Sequence, residues 1–208
     1  MESTLYAGAD QPGLKLIETM YWDGHATRNW PLHLARLQAG ARVLGWSCPQ
    51  PVIHGPGHPA RLRLTLDAHR TVKIESHALP PAAKLWRIGL AQERLNSSDP
   101  WLRIKSTRRA IYDNARATLR SDLDELIFLN ERNEVCDGTI TTVFFDRGAG
   151  LRTPPLTSGL LPGVLRASLD CPEEPLLASD LPHVRLWVGN ALRGLIPASY
   201  ITAQNTSI

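Results

Sequence analysis

Lys105 lies in the run Trp101-Leu102-Arg103-Ile104-Lys105-Ser106-Thr107-Arg108-Arg109-Ala110-Ile111-Tyr112-Asp113, which carries the most chemistry in the chain. The amine follows an apolar stretch (Trp101, Leu102, Ile104) and precedes a helix-compatible run. At the end of a half-buried strand such an amine is desolvated, and Arg103, Arg108 and Arg109 disfavour a further positive charge. Both effects lower a lysine's pKa and release the amine as a nucleophile. That is what a Schiff-base lysine needs. The competing reading is a surface lysine at a basic helix start, and neighbouring residues have to decide between the two.

Four other features supply groups that a phosphate-bearing cofactor would use. The stretch Thr153 to Arg166 is a turn-rich loop running into a helix, where the backbone amides of Gly163, Val164 and Leu165 would face an anion. His33 and Arg36 stand one turn apart, off the apolar stripe of their helix, and Arg36 can grip phosphate with two parallel hydrogen bonds. Asp137 follows Val135-Cys136; a carboxylate there can pair with a ring nitrogen, although Asp-Gly is also a common turn. Gly189-Asn190-Ala191-Leu192-Arg193-Gly194 follows a late strand, and its small residues let backbone approach a ligand or simply make a tight exit. Each of the four also has an ordinary structural explanation.

The elements expected to position these groups follow from periodicity. Leu14–Trp22 reads as a strand ending at Asp23-Gly24, and a helix from Pro31 places Leu34, Leu37, Ala41 and Leu44 on one face with Gly45 as its stop. Cys48–Ala60 is a loop. Arg61–Asp67 and Thr71–Ser76 form a hairpin, and Leu85–Ala91 is a further strand. Glu93–Pro100 is polar and turn-rich, the expected boundary between a small N-terminal α+β domain (1–98) and a larger C-terminal domain (99–208) carrying the lysine. A helix is predicted over Arg108–Arg120, strands over Glu125–Asn130 and Thr142–Asp146, a short strand at Leu151–Thr153, a helix over Gly159–Leu169 with Pro162 in its first turn, and a last strand at Arg185–Val188. Strands arrive in runs with few helices between them, so the class is α+β.

Composition excludes several classes. The 208 residues carry 43% hydrophobic and 21% charged side chains, as an ordinary globular protein does. No apolar run approaches the roughly 18 residues of a membrane span, and no signal peptide is read in Met1–Asp10. A formal charge of +3, spread along the chain apart from Arg103–Arg120, predicts no nucleic-acid partner. Cys48, Cys136 and Cys171 show neither a disulfide framework nor metal-ligand spacing, which fits a reducing cytoplasm and no bound metal.

Taken in order, these pieces resemble the class IV, fold-type IV pyridoxal-phosphate enzymes: branched-chain and D-amino-acid aminotransferases and aminodeoxychorismate lyase. The matching segments are LIET (Leu16–Thr19), HLARL (His33–Leu37), KSTRRAIYD (Lys105–Asp113), LNERNEVCDGTITTVFF (Leu129–Phe145), TPPLTSGLLPGVLR (Thr153–Arg166) and NALRG (Asn190–Gly194). The resemblance implies a two-domain α+β fold with a shortened N-terminal domain, since the family's leading strand before LIET has no counterpart. It makes Lys105 the residue that binds pyridoxal 5'-phosphate covalently. It puts Asp137 where the family usually has a glutamate facing the pyridine nitrogen, and Arg36 with the amides near Gly163, Val164 and Leu165 at the phosphate. Asn190 and Ala191 fall in the same cofactor-lining set. Tyr112 lies in a lining segment.

At three single positions, too, the sequence departs from the family. Asp137 is one methylene shorter than glutamate, Thr142 replaces a common asparagine, and Ala191 stands where many members carry a hydroxyl. NALRG and KSTRR resemble lyase-like members more than aminotransferases. Arg103, Arg109 and Tyr112 would then face a dicarboxylate substrate. The expectation is therefore a homodimeric, cytoplasmic lyase that converts 4-amino-4-deoxychorismate to 4-aminobenzoate and pyruvate, a step towards folate. An aminotransferase acting on branched-chain or D-amino acids is the alternative, and a degenerate non-catalytic member the third.

Overall fold

The computed structural model describes residues 6–9 and 11–202, which fall into two compact units. Of the described residues, the first unit takes those up to 81 together with 100–108, and the second takes 82–99 together with 109–202. This differs from the division expected near residue 98, because the Lys105 segment groups with the N-terminal sheet. The cause is local. Apolar Trp101, Leu102 and Ile104 are buried, Trp101 and Ile104 within the core of that unit, and the chain after them pairs with its first strand.

In the first unit a short turn of helix, α1 (Tyr6–Ala9), precedes β1 (Leu16–Trp22), α2 (Trp30–Val43), β2 (Ala60–Leu66) and β3 (Val72–His77). The strands form an antiparallel sheet in the order β1-β2-β3, with Glu18 opposite Leu64 and Arg63 opposite Glu75. Leu37, Ala41 and Leu44 of the α2 region share a core with Leu16, Met20 and Trp22 of β1, as the periodicity required, whereas Leu34, expected on the same face, is only half-buried. Gly40 allows this closeness, since a Cβ there would stand 3.1 Å from a Leu16 methyl. Gly45, at φ 70°, ends the helix by letting Trp46 N–H reach back to Ala41 O at 2.8 Å. One expectation fails on α2: His33 is fully buried, not on an open face. A carboxylate from β1 awaits it there.

The second unit is built on a closed barrel, β4-β5-β6-β7-β8-β9. Its elements in chain order are β4 (Trp86–Leu95), α3 (Ala110–Ala117), β5 (Glu125–Asn130), β6 (Val135–Gly138), β7 (Thr142–Asp146), α4 (Val164–Leu169), β8 (Arg185–Asn190) and β9 (Gly194–Tyr200). β4 lies parallel to both β5 and β9 and closes the ring; the remaining neighbours are antiparallel. Ile88, Ile127, Val143, Phe145, Val188 and Ile196 fill a core of this unit.

Several boundaries move. β4 continues to Leu95, past the polar residues expected to be a loop, because Arg94 and Leu95 pair with Leu129 and Asn130 beyond a bulge. α3 covers only part of the predicted 108–120 helix. α4 starts at Val164, so Pro162 precedes the helix instead of lying in its first turn; Gly159, at φ 86°, breaks the regular path ahead of it. β9 is a strand that the sequence hid behind Pro197, which sits opposite Trp187 in the ladder.

Candidate functional site

In the first unit, β1 anchors two of the expected cofactor residues. The Ile17 amide donates to Lys105 O at 2.9 Å, Leu16 bridges Ser106, and Thr107 N–H donates to Lys15 O at 2.8 Å. Thr107 Oγ1 in turn accepts from the Lys15 amide at 2.9 Å. The lysine backbone is thus held as an extra strand segment against the start of β1, and its side chain is half-buried. Arg103, expected to meet substrate, is exposed on the 3-10 turn just before it.

One residue beyond Ile17, Glu18 is fully buried and gathers α2. Arg36 Nε donates to Oε1 at 2.9 Å and Arg36 Nη2 to Oε2 at 2.6 Å, while His33 Nδ1 lies 2.6 Å from Oε2. Burial alone would raise the Glu18 carboxyl pKa. The charge of Arg36 and the hydrogen bonds from His33 and Arg36 outweigh it and hold the pKa below its ordinary value. Glu18 escaped the sequence reading, yet a signal was present. Alternation along LIETMYW puts it with Leu16, Met20 and Trp22 on the face towards α2, and a charge on a core face needs a partner.

The second unit holds the other candidates. Asp137 sits within β6, 5% exposed, and its Oδ2 accepts the Leu161 amide at 2.8 Å. It is a strand residue, not the turn aspartate that Asp-Gly also allowed. Tyr112 packs edge-on against Phe128, with ring centroids 5.0 Å apart. Burial first, then the negative charge of Asp137, push its hydroxyl pKa upward, so the phenol keeps its proton beside that carboxylate.

Gly163 is the residue before α4, with no side chain capping the helix; a Cβ on it would meet Thr142 Oγ1 at 2.7 Å. Val164 is buried and Leu165 follows it in the first turn. Asn190 ends β8. Its Nδ2 donates to Ile140 O at 3.0 Å and its Oδ1 accepts the amides of Leu192 and Arg193, which shapes the turn that carries Ala191. Arg109 donates from Nε to Asp113 at 2.8 Å and from Nη2 to Thr139 O at 3.0 Å, so its guanidinium is already engaged in fixing the 139 loop.

A third network was not foreseen as a unit. Asn130 Nδ2 donates to Ser158 O at 3.0 Å, Arg132 Nη2 to Thr157 O at 3.0 Å, and Ser158 Oγ to Glu134 Oε2 at 2.9 Å. The NERNE segment therefore buckles the loop leading to Gly163. Hydrogen bonds from Arg132, and then from Asn130 and Ser158, hold the Glu134 carboxyl down to about 2.

Each unit holds groups whose chemistry suits pyridoxal phosphate: in the second, a buried carboxylate on β6 suits a pyridinium and the amides at the start of α4 suit a phosphate; in the first, a lysine and an arginine are tethered to one strand. The fold is that of the fold-type IV pyridoxal-phosphate enzymes. The chain belongs to the class IV aminotransferases, matching the family "Amino-transferase class IV" over residues 15–201. It is 29% identical over 167 residues to the "Putative aminodeoxychorismate lyase" of Schizosaccharomyces pombe, spanning 74% of this chain and 72% of that one. The crystal structure of a "Putative amino-acid aminotransferase" from Mesorhizobium loti is 40% identical, with a TM-score of 0.85 over 90% of this chain and 100% of that one. The structure of a "Putative 4-amino-4-deoxychorismate lyase" from Legionella pneumophila has a TM-score of 0.78 at 18% identity, over 91% and 83% of the two chains, and shares the fold.

Proposed function

We propose that this enzyme binds pyridoxal phosphate through Lys105 and acts as a lyase of the aminodeoxychorismate type, releasing pyruvate from 4-amino-4-deoxychorismate to leave 4-aminobenzoate. The observation that carries the cofactor assignment is the tethering of Lys105 and Arg36 to neighbouring residues of β1, Ile17 and Glu18. We assign Arg36, Gly163, Val164 and Leu165 to the phosphate, Asp137 to the ring nitrogen, and Asn190 and Ala191 to the cofactor's surroundings. When bound, pyridoxal phosphate supplies an electron sink for charge developing next to the substrate's nitrogen. Asp137 keeps the ring nitrogen protonated by its negative charge. Lys105 Nζ takes a proton and returns it as general base and acid. Tyr112, with its hydroxyl protonated, can donate a hydrogen bond. Arg103 is the cation assigned to a substrate carboxylate; Arg109 acts on substrate only through the 139 loop that it holds.

The lyase reading rests on NALRG and KSTRR and on the likeness to the Schizosaccharomyces pombe protein. A second reading is an aminotransferase acting on branched-chain or D-amino acids; the 40% identity to the Mesorhizobium loti protein favours its aminotransferase part, not the choice of amino acid. One assay separates them. Incubation of the loaded enzyme with 4-amino-4-deoxychorismate should release pyruvate and 4-aminobenzoate without a keto-acid acceptor. Amino-group transfer to 2-oxoglutarate from leucine or D-alanine, with no pyruvate from the chorismate derivative, would select the second reading. We further infer a two-fold homodimer acting in the cytoplasm on a small amino substrate. Cys48, Cys136 and Cys171 are free thiols. No helix among the described residues is long and apolar enough to cross a membrane.

A further inference from the structure

Glu125, at the start of β5, is fully buried and takes part in none of the roles above. Its Oε1 accepts the amides of Leu126 and Thr139, each at 3.0 Å, and the Thr139 hydroxyl; its Oε2 accepts the Ile140 amide at 3.2 Å and the Thr141 hydroxyl at 2.9 Å. Arg116 Nη1 stands 3.6 Å from the carboxylate and also donates to Thr139 Oγ1 at 3.1 Å. Gly138 is required here, because a Cβ on it would lie 2.8 Å from Glu125 Oε2. The carboxylate therefore occupies the inside of the turn joining β6 to β7, which is closed by Gly138 N–H to Thr141 O at 2.7 Å.

Burying a carboxylate costs several kcal/mol after relaxation, far more than a four-residue turn needs to close on its own backbone bonds. What the turn holds gives the charge a purpose. Asp137 enters it and pairs with Thr142, which leaves it. Thr142 abuts Gly163, Ile140 O receives Asn190, and Thr139 O receives Arg109. Four of the residues assigned to cofactor or substrate, Arg109, Asp137, Gly163 and Asn190, from four separate segments, converge on the turn that Glu125 fills.

We propose that Glu125 is a positioning residue: its carboxylate, through Thr139 and Thr141, fixes the turn that sets Asp137, Gly163 and Asn190 in place for the cofactor. This rests on the cofactor assignment given above. Fully satisfied buried networks hold a single geometry, and loss of one member loosens all of them together. Glutamine at this position keeps the volume but turns an acceptor into a donor that faces amide N–H groups.

The test uses the full chain as Glu125→Gln, Thr139→Val and Thr139→Ser. Readouts are pyridoxal-phosphate affinity by absorbance titration, visible circular dichroism of the bound cofactor at saturation, and melting temperature. We expect Glu125→Gln to weaken affinity at least tenfold and to lose more than half of the visible dichroism. Thr139→Val should move both in the same direction, and Thr139→Ser, which keeps the hydroxyl, should match wild type. Wild-type affinity and dichroism in Glu125→Gln, with only the melting temperature lowered, would overturn the proposal. Should Glu125→Gln fail to fold, Thr139→Val decides alone, and wild-type signals in it overturn the proposal. Failure of the wild type itself to bind the cofactor would instead remove the functional reading, and this inference with it.

Discussion

Replacing Arg36 by methionine should reveal a structural duty of the residue, separate from the phosphate contact proposed for it. The guanidinium gives Glu18 two of its three short contacts, at 2.9 and 2.6 Å, and Glu18 is fully buried. Methionine retains the apolar stem and leaves the carboxylate facing His33 alone. Breaking a buried ion pair by removing one partner costs about 3–5 kcal/mol. His33 remains as a donor, so the lower end, about 3 kcal/mol, is the figure expected in the cofactor-free protein. With a urea dependence of about 2 kcal/mol per molar, the unfolding midpoint falls by about 1.5 M. Tryptophan fluorescence is the natural probe, since Trp22 and Trp101 lie in the core of the first unit and Trp30 and Trp46 pack against it.

The pH dependence has a definite sign. In the wild type Glu18 is held below its reference value of 4.5, so its contribution is present above that value and lost as pH falls through the depressed pKa. Without Arg36, burial dominates and the folded pKa rises, so the folded variant binds the proton more readily. The variant's deficit is therefore largest near neutrality and shrinks on acidification. The double variant Glu18→Gln/Arg36→Met should recover more than half of the loss. A deficit below about 1 kcal/mol, the range of an exposed pair, or one that stays constant from neutral pH to 4, would refute the reasoning.

Asp137 separates chemistry from packing. Asp137→Asn keeps an acceptor for the Leu161 amide and should lose most turnover with little change in unfolding midpoint, whereas Asp137→Ala also strands that amide and should cost about 1–3 kcal/mol of stability. Asp137→Glu should retain activity. Wild-type kcat in Asp137→Asn would show that the charge has no part in the reaction. For assembly, light scattering at micromolar concentration should give twice the 23.0 kDa chain mass, and a monomer would contradict the inferred dimer.

The sequence showed its local elements well where one period ruled. β1, α2 and the β2–β3 hairpin came out within a few residues because each buries one face. The barrel was hidden, because its closure depends on parallel pairing of β4 with β5 and β9, and no local pattern records which strands meet. The reach of its guanidinium and family order marked Arg36 for a phosphate; its bond to Glu18 was not legible, since the two lie 18 positions apart. Asp137 looked like a turn residue because Asp-Gly usually is one, and only the short β6 ladder makes it a strand residue. Glu125 gave no signal at all. In ELIFLN it reads as the polar first residue of a strand, and its burial follows from a turn more than ten residues away.

Lys105 is the residue we propose to carry the cofactor. Of the four lysines in the chain, at positions 15, 73, 84 and 105, it alone lies in the tethered segment after Ile104. Protein incubated with pyridoxal phosphate, reduced with borohydride and digested should yield one modified peptide, bearing the label on Lys105, and Lys105→Ala should show neither label nor turnover. Label on Lys15, Lys73 or Lys84, or none on the wild type, would contradict the account.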